Sequence, residues 1–168
     1  MERERIGGGW EHEVYKSRRE GWVLKRPKLP VILVNNLMRF DARDVRDDLR
    51  QAQAVVGETS FVDIPTSRIF EFNGSFLGVN YSSYIIVQRY VKEDGSVTDI
   101  ENQLRTSGQE YLANRYTIMN ENFVSNMGKL FLVDFTRTYK RALGKMKIPY
   151  AEATRLHSNL IKLFKRDR

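Results

Sequence analysis

An apolar run that ends on a carboxylate constrains this chain more than any other stretch. Leu130-Phe131-Leu132-Val133 leads straight into Asp134. An ionised side chain at the end of an apolar strand is costly unless something pairs with it. Ahead of that run, Phe123 and Val124 are strand formers and Asn126-Met127-Gly128 is turn chemistry, so the segment reads as strand, turn, strand. A short hairpin would bring Asn122 back beside Asp134. An amide oxygen and a carboxylate are both hard oxygen donors suited to Mg²⁺. An ordinary hairpin with Asp134 capping the next segment explains the same residues without a metal.

The N-terminal quarter adds a second pattern. Ile6-Gly7-Gly8-Gly9-Trp10 followed by Glu11-His12-Glu13-Val14-Tyr15 is a glycine turn between strands. Glycines there let backbone amides approach a phosphate closely; a plain flexible turn uses the same residues. Gly21 closes a second hairpin, and Trp22-Val23-Leu24-Lys25 is the return strand. Lys25 ends an apolar run, where an unpaired ammonium is costly. It reads either as a surface lysine at a strand end or as a phosphate-pairing lysine on the face of the glycine turn.

Residues 27–37, with two prolines and a short apolar patch, read as a connection into a helix. That helix is well marked. Asp41 caps it, Asp44 suits the positive end of its dipole, and Gly57 ends it. Val45, Leu49, Ala52 and Val56 form one apolar face. Asp47 and Asp48 lie mid-helix, and one of them is expected to reach Lys25. Two strands follow, Ser67–Phe72 and Tyr84–Val91, with a turn expected at Asn73-Gly74. Lys92–Ser96 is polar and reads as a linker, which places a boundary between a first lobe, 1–91, and a reduced second lobe, 92–168, within one structural domain. The second half opens with one helix over Asp99–Tyr116 and closes with another after Pro149, striped by Leu156, Leu160, Leu163 and Phe164.

Composition matters for the partner and the compartment. The 168 residues are 41% hydrophobic and carry a net charge of +7, which suits a globular chain with an anionic partner. Residues 137–147 hold Arg137, Lys140, Arg141, Lys145 and Lys147 with no acid. With Tyr139 taken as a surface aromatic, that stretch also suits nucleic acid. No apolar run is long enough to span a bilayer, and the N-terminus lacks the apolar core of a secretory signal. The absence of cysteine excludes disulfides and makes a cytoplasmic address the default expectation.

Taken in order, these elements resemble the protein-kinase-like superfamily: glycine turn, strand with lysine, helix with an acid, two strands, linker, helix, then Asn, turn and a strand ending in Asp. Gly7, Gly9 and Val14 match the glycine loop G-x-G-x-x-G-x-V, with His12 in place of its third glycine. Val23-Leu24-Lys25 matches the lysine strand. Ile86–Val91, including Gln88 and Tyr90, resembles the hinge that lines an adenine pocket. Asn122 matches the catalytic-loop Asn, and Asp134-Phe135 matches the start of DFG. Among relatives, the chain is most similar to short bacterial kinase-like proteins of the PhoP regulatory network type.

The resemblance implies an α+β fold of two compact lobes: an antiparallel N-lobe sheet with one helix, over a reduced helical C-lobe. It implies ATP and Mg²⁺ as cofactors. Lys25 would hold the phosphates, Asp48 would orient Lys25, and Asn122 and Asp134 would hold the metal. The departures are specific. Thr136 replaces the glycine of DFG, Thr117 stands where the catalytic Asp is expected, and Glu121 is the only nearby acid that can serve as a stand-in base. The function implied is an ATP-dependent phosphotransferase with an atypical catalytic loop. The alternatives are a pseudokinase regulating an acidic or phosphorylated protein partner, or a basic nucleic-acid-binding domain.

Overall fold

A computed structural model describes residues 4–7, 11–76, 78–116 and 122–149, together with 152 and 155. The chain is mixed α+β. A five-stranded antiparallel sheet is built from β1 (Arg5–Gly7), β2 (His12–Lys16), β3 (Trp22–Pro27), β5 (Ser67–Phe76) and β6 (Val79–Arg89), in the order β1-β2-β3-β6-β5. A smaller sheet joins β4 (Val62–Asp63), β8 (Lys129–Leu132) and β7 (Phe123–Asn126), with β4 parallel to β8. Five helices occur among the described residues: α1 (Leu29–Leu37), α2 (Ala42–Val56), α3 (Ile100–Thr106), α4 (Glu110–Tyr116) and α5 (Thr138–Lys145).

Helix α2 forms as its sequence dictates. The Asp41 carboxylate accepts from Arg43 N at 2.7 Å, and Asp44 accepts from Asp41 N at 2.9 Å, a reciprocal cap on the first turn. Val45, Leu49, Ala52 and Val56 are all buried. They pack with Ile86 of the large sheet and with Leu130, Leu132 and Phe135 of the other half, in one continuous core. Val62 of β4 pairs with Leu130 of β8, so the two halves also share a strand ladder.

The first half holds two helices rather than one. Residues 29–37 are helical because Pro30 falls in the first turn, where its missing N–H costs nothing. Asn36 fastens this helix: its Nδ2 donates to Ser82 O at 2.7 Å and its Oδ1 accepts from Ser82 N at 2.9 Å, tying α1 to β6.

The β5–β6 turn is also displaced from its expected place. Asn73-Gly74 lies inside the ladder, opposite Ser82 and Tyr81. A Cβ on Gly74 would sit 2.5 Å from the Tyr81 ring, so this glycine makes room for an aromatic and does not turn the chain.

The long helix expected over 99–116 is two. Gly108 at φ +77° ends α3, with Gln109 N donating to Leu104 O at 2.7 Å and Gly108 N to Arg105 O at 3.1 Å. The β7–β8 hairpin forms as expected, through Met127 and Gly128, both at positive φ. The polar segment after β6 is a strap over that hairpin: Asp94 accepts from Met127 N at 2.7 Å and Asn126 donates to Lys92 O at 2.7 Å.

The basic stretch is helix α5, and its aromatic faces inward. Tyr139 is 4% exposed and packs with Val31 of α1 and Leu143. The stacking surface expected for nucleic acid at Tyr139 is therefore absent, because the residue's period along α5 points it at α1. The helix expected after Pro149 lies outside the described residues apart from 152 and 155, both helical. No helix among the described residues is long and apolar enough to cross a membrane.

Candidate functional site

Strand alternation sorts the chemistry. Val14 pairs with Lys25, Lys25 with Ile86, and Val23 with Gln88. With a period of two, His12, Val14, Lys25, Tyr84, Ile86 and Gln88 share one face of the large sheet. This is the face toward the core, where Asp134 arrives at the end of β8.

Lys25 is 8% exposed, and its ammonium donates to the carbonyl of Val133, the residue before Asp134. Burial pushes the Lys25 amine down, and the Asp134 charge opposes this. Asp134 keeps 30% of its side chain open. Its Oδ1 accepts from Thr136 Oγ1 at 2.8 Å and from Thr136 N at 3.3 Å. Burial alone would raise its carboxyl; His12, Lys25 and the Thr136 bonds outweigh it and hold it below the usual range.

His12 lies against the same carboxylate, with Nδ1 3.9 Å from Asp134 Oδ2. On the far side of the ring, Nε2 shares a 3.0 Å hydrogen bond with the Tyr84 hydroxyl. Burial lowers the imidazole to about 4 against the pull of Asp134, with Lys25 and Lys28 adding to the lowering. At neutral pH the ring is therefore uncharged, and Lys25, bonded to the neighbouring Val133 carbonyl, is the cation whose charge acts on Asp134.

The hairpin does return Asn122 to Asp134. Asn122 O accepts from Val133 N at 2.8 Å and from Asp134 N at 3.2 Å. Its side chain turns away, with Nδ2 donating to Tyr116 O at 2.6 Å.

Asp48 does not partner Lys25. Its Oδ2 accepts from Arg137 N and Thr138 Oγ1, each at 2.8 Å, and its Oδ1 lies 3.2 Å from an Arg141 nitrogen. It caps α5 from across the core. Asp47, the other acid expected to reach Lys25, pairs with Arg50 at 3.0 Å.

The remaining expected residues are dispersed. Gly7 lies on exposed β1, opposite Val14. Gln88 is buried and donates to Ser67 Oγ at 3.0 Å. Tyr90 N donates to Gly21 O at 2.9 Å, so that amide is engaged within the protein. Gly9 and Glu121, like Thr117, lie outside the described residues. A groove of about 620 Å³ lined by Asn73, Gly74, Ser75, Asn80, Tyr81 and Ser82 carries none of these candidates.

Three members of the cluster were not singled out as site residues from sequence: His12, Tyr84 and Thr136. His12 and Thr136 each replace a glycine of the kinase pattern, which was their visible signal. Tyr84, inside a strand, gave none. The donor set fits magnesium with a phosphate-bearing ligand through one open carboxylate and one ammonium, since Mg²⁺ commonly takes one or two carboxylates plus substrate phosphates. Among the described residues, no three His, Asp or Glu side chains gather into a metal cluster of their own. No family model, curated protein or solved structure matches this chain.

Proposed function

We propose that this chain is a kinase-like module that binds a nucleoside triphosphate with Mg²⁺ between the large sheet and the β7–β8 hairpin. The observation that carries this reading is the bond of Lys25 to Val133, just past the end of β8 and next to Asp134, across 108 positions of sequence. An ammonium bonded to the residue next to an open carboxylate supplies the charges that a phosphate and its metal require. Lys25 would bind phosphate oxygens, exchanging a neutral carbonyl for a charged and stronger acceptor. Asp134 would hold the metal, with Thr136 fixing its orientation. The magnesium ion would neutralise phosphate charge when bound.

A second reading, a regulatory module without phosphotransfer, is favoured by Asp48. That acid is engaged with α5, so nothing from α2 orients Lys25. On either reading the compartment follows the sequence-based expectation, cytoplasmic.

Thermal unfolding with ATP and Mg²⁺ tests nucleotide binding. Ligand at ~100 times Kd adds about 2.7 kcal/mol and raises the midpoint by several degrees. The expected result is a metal-dependent rise that is lost in both Lys25→Ala and Asp134→Ala. A rise that survives Lys25→Ala would put the ligand elsewhere and overturn the reading.

A further inference from the structure

We propose that His12 is a removable plug, its imidazole filling the place of a phosphate beside Lys25 and Asp134. The inference rests on the nucleotide reading of this site and adds how entry to it is controlled. The ring projects from the start of β2 onto the face that carries Lys25 and Tyr84, and it is 3% exposed. It lies 3.9 Å from the Asp134 carboxylate and on the same sheet face as Lys25, which is where an anion meeting both groups would come.

The contacts of the ring are uneven. Nε2 meets the Tyr84 hydroxyl at 3.0 Å. Nδ1 is buried without a hydrogen-bond partner, 3.9 Å from Asp134 Oδ2. An imidazole placed to serve the carboxylate would close that gap, because a buried unpaired nitrogen is costly. The ring is therefore held by Tyr84 and by packing, and its departure breaks one hydrogen bond while exposing both charges. Lys25 meanwhile rests on a backbone carbonyl, which a phosphate oxygen displaces as the stronger acceptor.

In such a scheme, apparent affinity is the intrinsic affinity multiplied by the fraction of molecules with the ring displaced. Titration calorimetry with ATP and Mg²⁺ on the wild type, His12→Gly and Tyr84→Phe reads that fraction, with Lys25→Ala added to each. His12→Gly is expected to bind roughly tenfold more tightly than the wild type or better. Tyr84→Phe keeps the ring volume and drops the anchor, and should gain a few-fold. Both gains should vanish with Lys25→Ala.

Equal affinity in wild type and His12→Gly would overturn the plug and leave the nucleotide reading standing. No binding by any variant would remove both. A gain that survives Lys25→Ala would mean that ligand enters the vacated space without using the site, and would also overturn the plug. Should His12→Gly fail to fold, Tyr84→Phe decides: affinity no tighter than the wild type overturns the proposal.

Discussion

Two carboxylates reach the core of this protein and are treated in opposite ways. Asp48 is 2% exposed; its Oδ2 accepts from a backbone amide and a hydroxyl at the start of α5, and its Oδ1 lies 3.2 Å from the Arg141 guanidinium without a hydrogen bond. It serves as a cap delivered from another helix, placed where the α5 dipole favours negative charge. Asp134 keeps nearly a third of its side chain open, satisfies one oxygen within its own loop, and leaves the other 3.9 Å from the His12 ring, beyond hydrogen-bond distance. Their carboxyls shift in opposite directions. Burial raises Asp48 despite its bonds to Arg137 and Thr138, whereas His12, Lys25 and the Thr136 bonds hold Asp134 low. Burial alone does not mark a functional acid. An acid whose bonds fasten one element to another belongs to the fold, and one left with an open side and a lysine close by is available to a ligand.

The largest effect should come from Asp48. Asp48→Ala leaves the Arg137 amide and the buried Thr138 hydroxyl without their acceptor, and each buried polar group left unsatisfied costs about 1–3 kcal/mol. Chemical denaturation should show that loss directly, with a much smaller one for Asp48→Asn, which keeps an acceptor for Thr138. A cost under about 1 kcal/mol for Asp48→Ala would erase the distinction between the two acids.

The next effect lies at His12 and depends on pH. The folded protein resists protonating the ring until about 4, while the unfolded chain takes up that proton near 6.5. Between these values the unfolded state binds more protons, so stability falls as the pH falls. The contribution is present above 6.5 and is lost by about 4. It amounts to at most about 3 kcal/mol. Unfolding midpoints of wild type and His12→Gln should converge in slope above that window and diverge within it. Parallel curves would show that the imidazole is not held neutral against Asp134.

The sequence carried these two acids unequally. The α2 face was legible because Val45, Leu49, Ala52 and Val56 recur at helical spacing, and the β7–β8 turn because few dipeptides suit two positive φ values. Spacing could say that Asp48 faces inward but not whom it meets: its partners Arg137 and Thr138 are 89 and 90 positions away. The same holds for His12, odd in a glycine's place yet bonded to Tyr84 across 72 positions. Local signals failed where packing reassigned them. Pro30 fell in a first turn, Gly74 made room for a ring, and Gly108 cut one expected helix into α3 and α4. Lys25 and Asp134 were legible because each ended an apolar run, and a charge in that position requires a partner wherever it comes from.

The smallest expected change in stability is also the sharpest test of the comparison. Asp134→Asn retains an oxygen for Thr136 Oγ1, the one close acceptor contact this side chain makes at 2.8 Å. It removes a negative charge that Lys25 and the Thr136 bonds favour only slightly more than burial opposes it, and whose open side is supported only at a distance. Stability should therefore change by no more than about 1 kcal/mol in either direction, while the metal-dependent response to ATP disappears. A loss as large as that of Asp48→Ala would make Asp134 a second structural anchor, with Lys25 as its counter-ion, and the open side of its carboxylate would then carry no function.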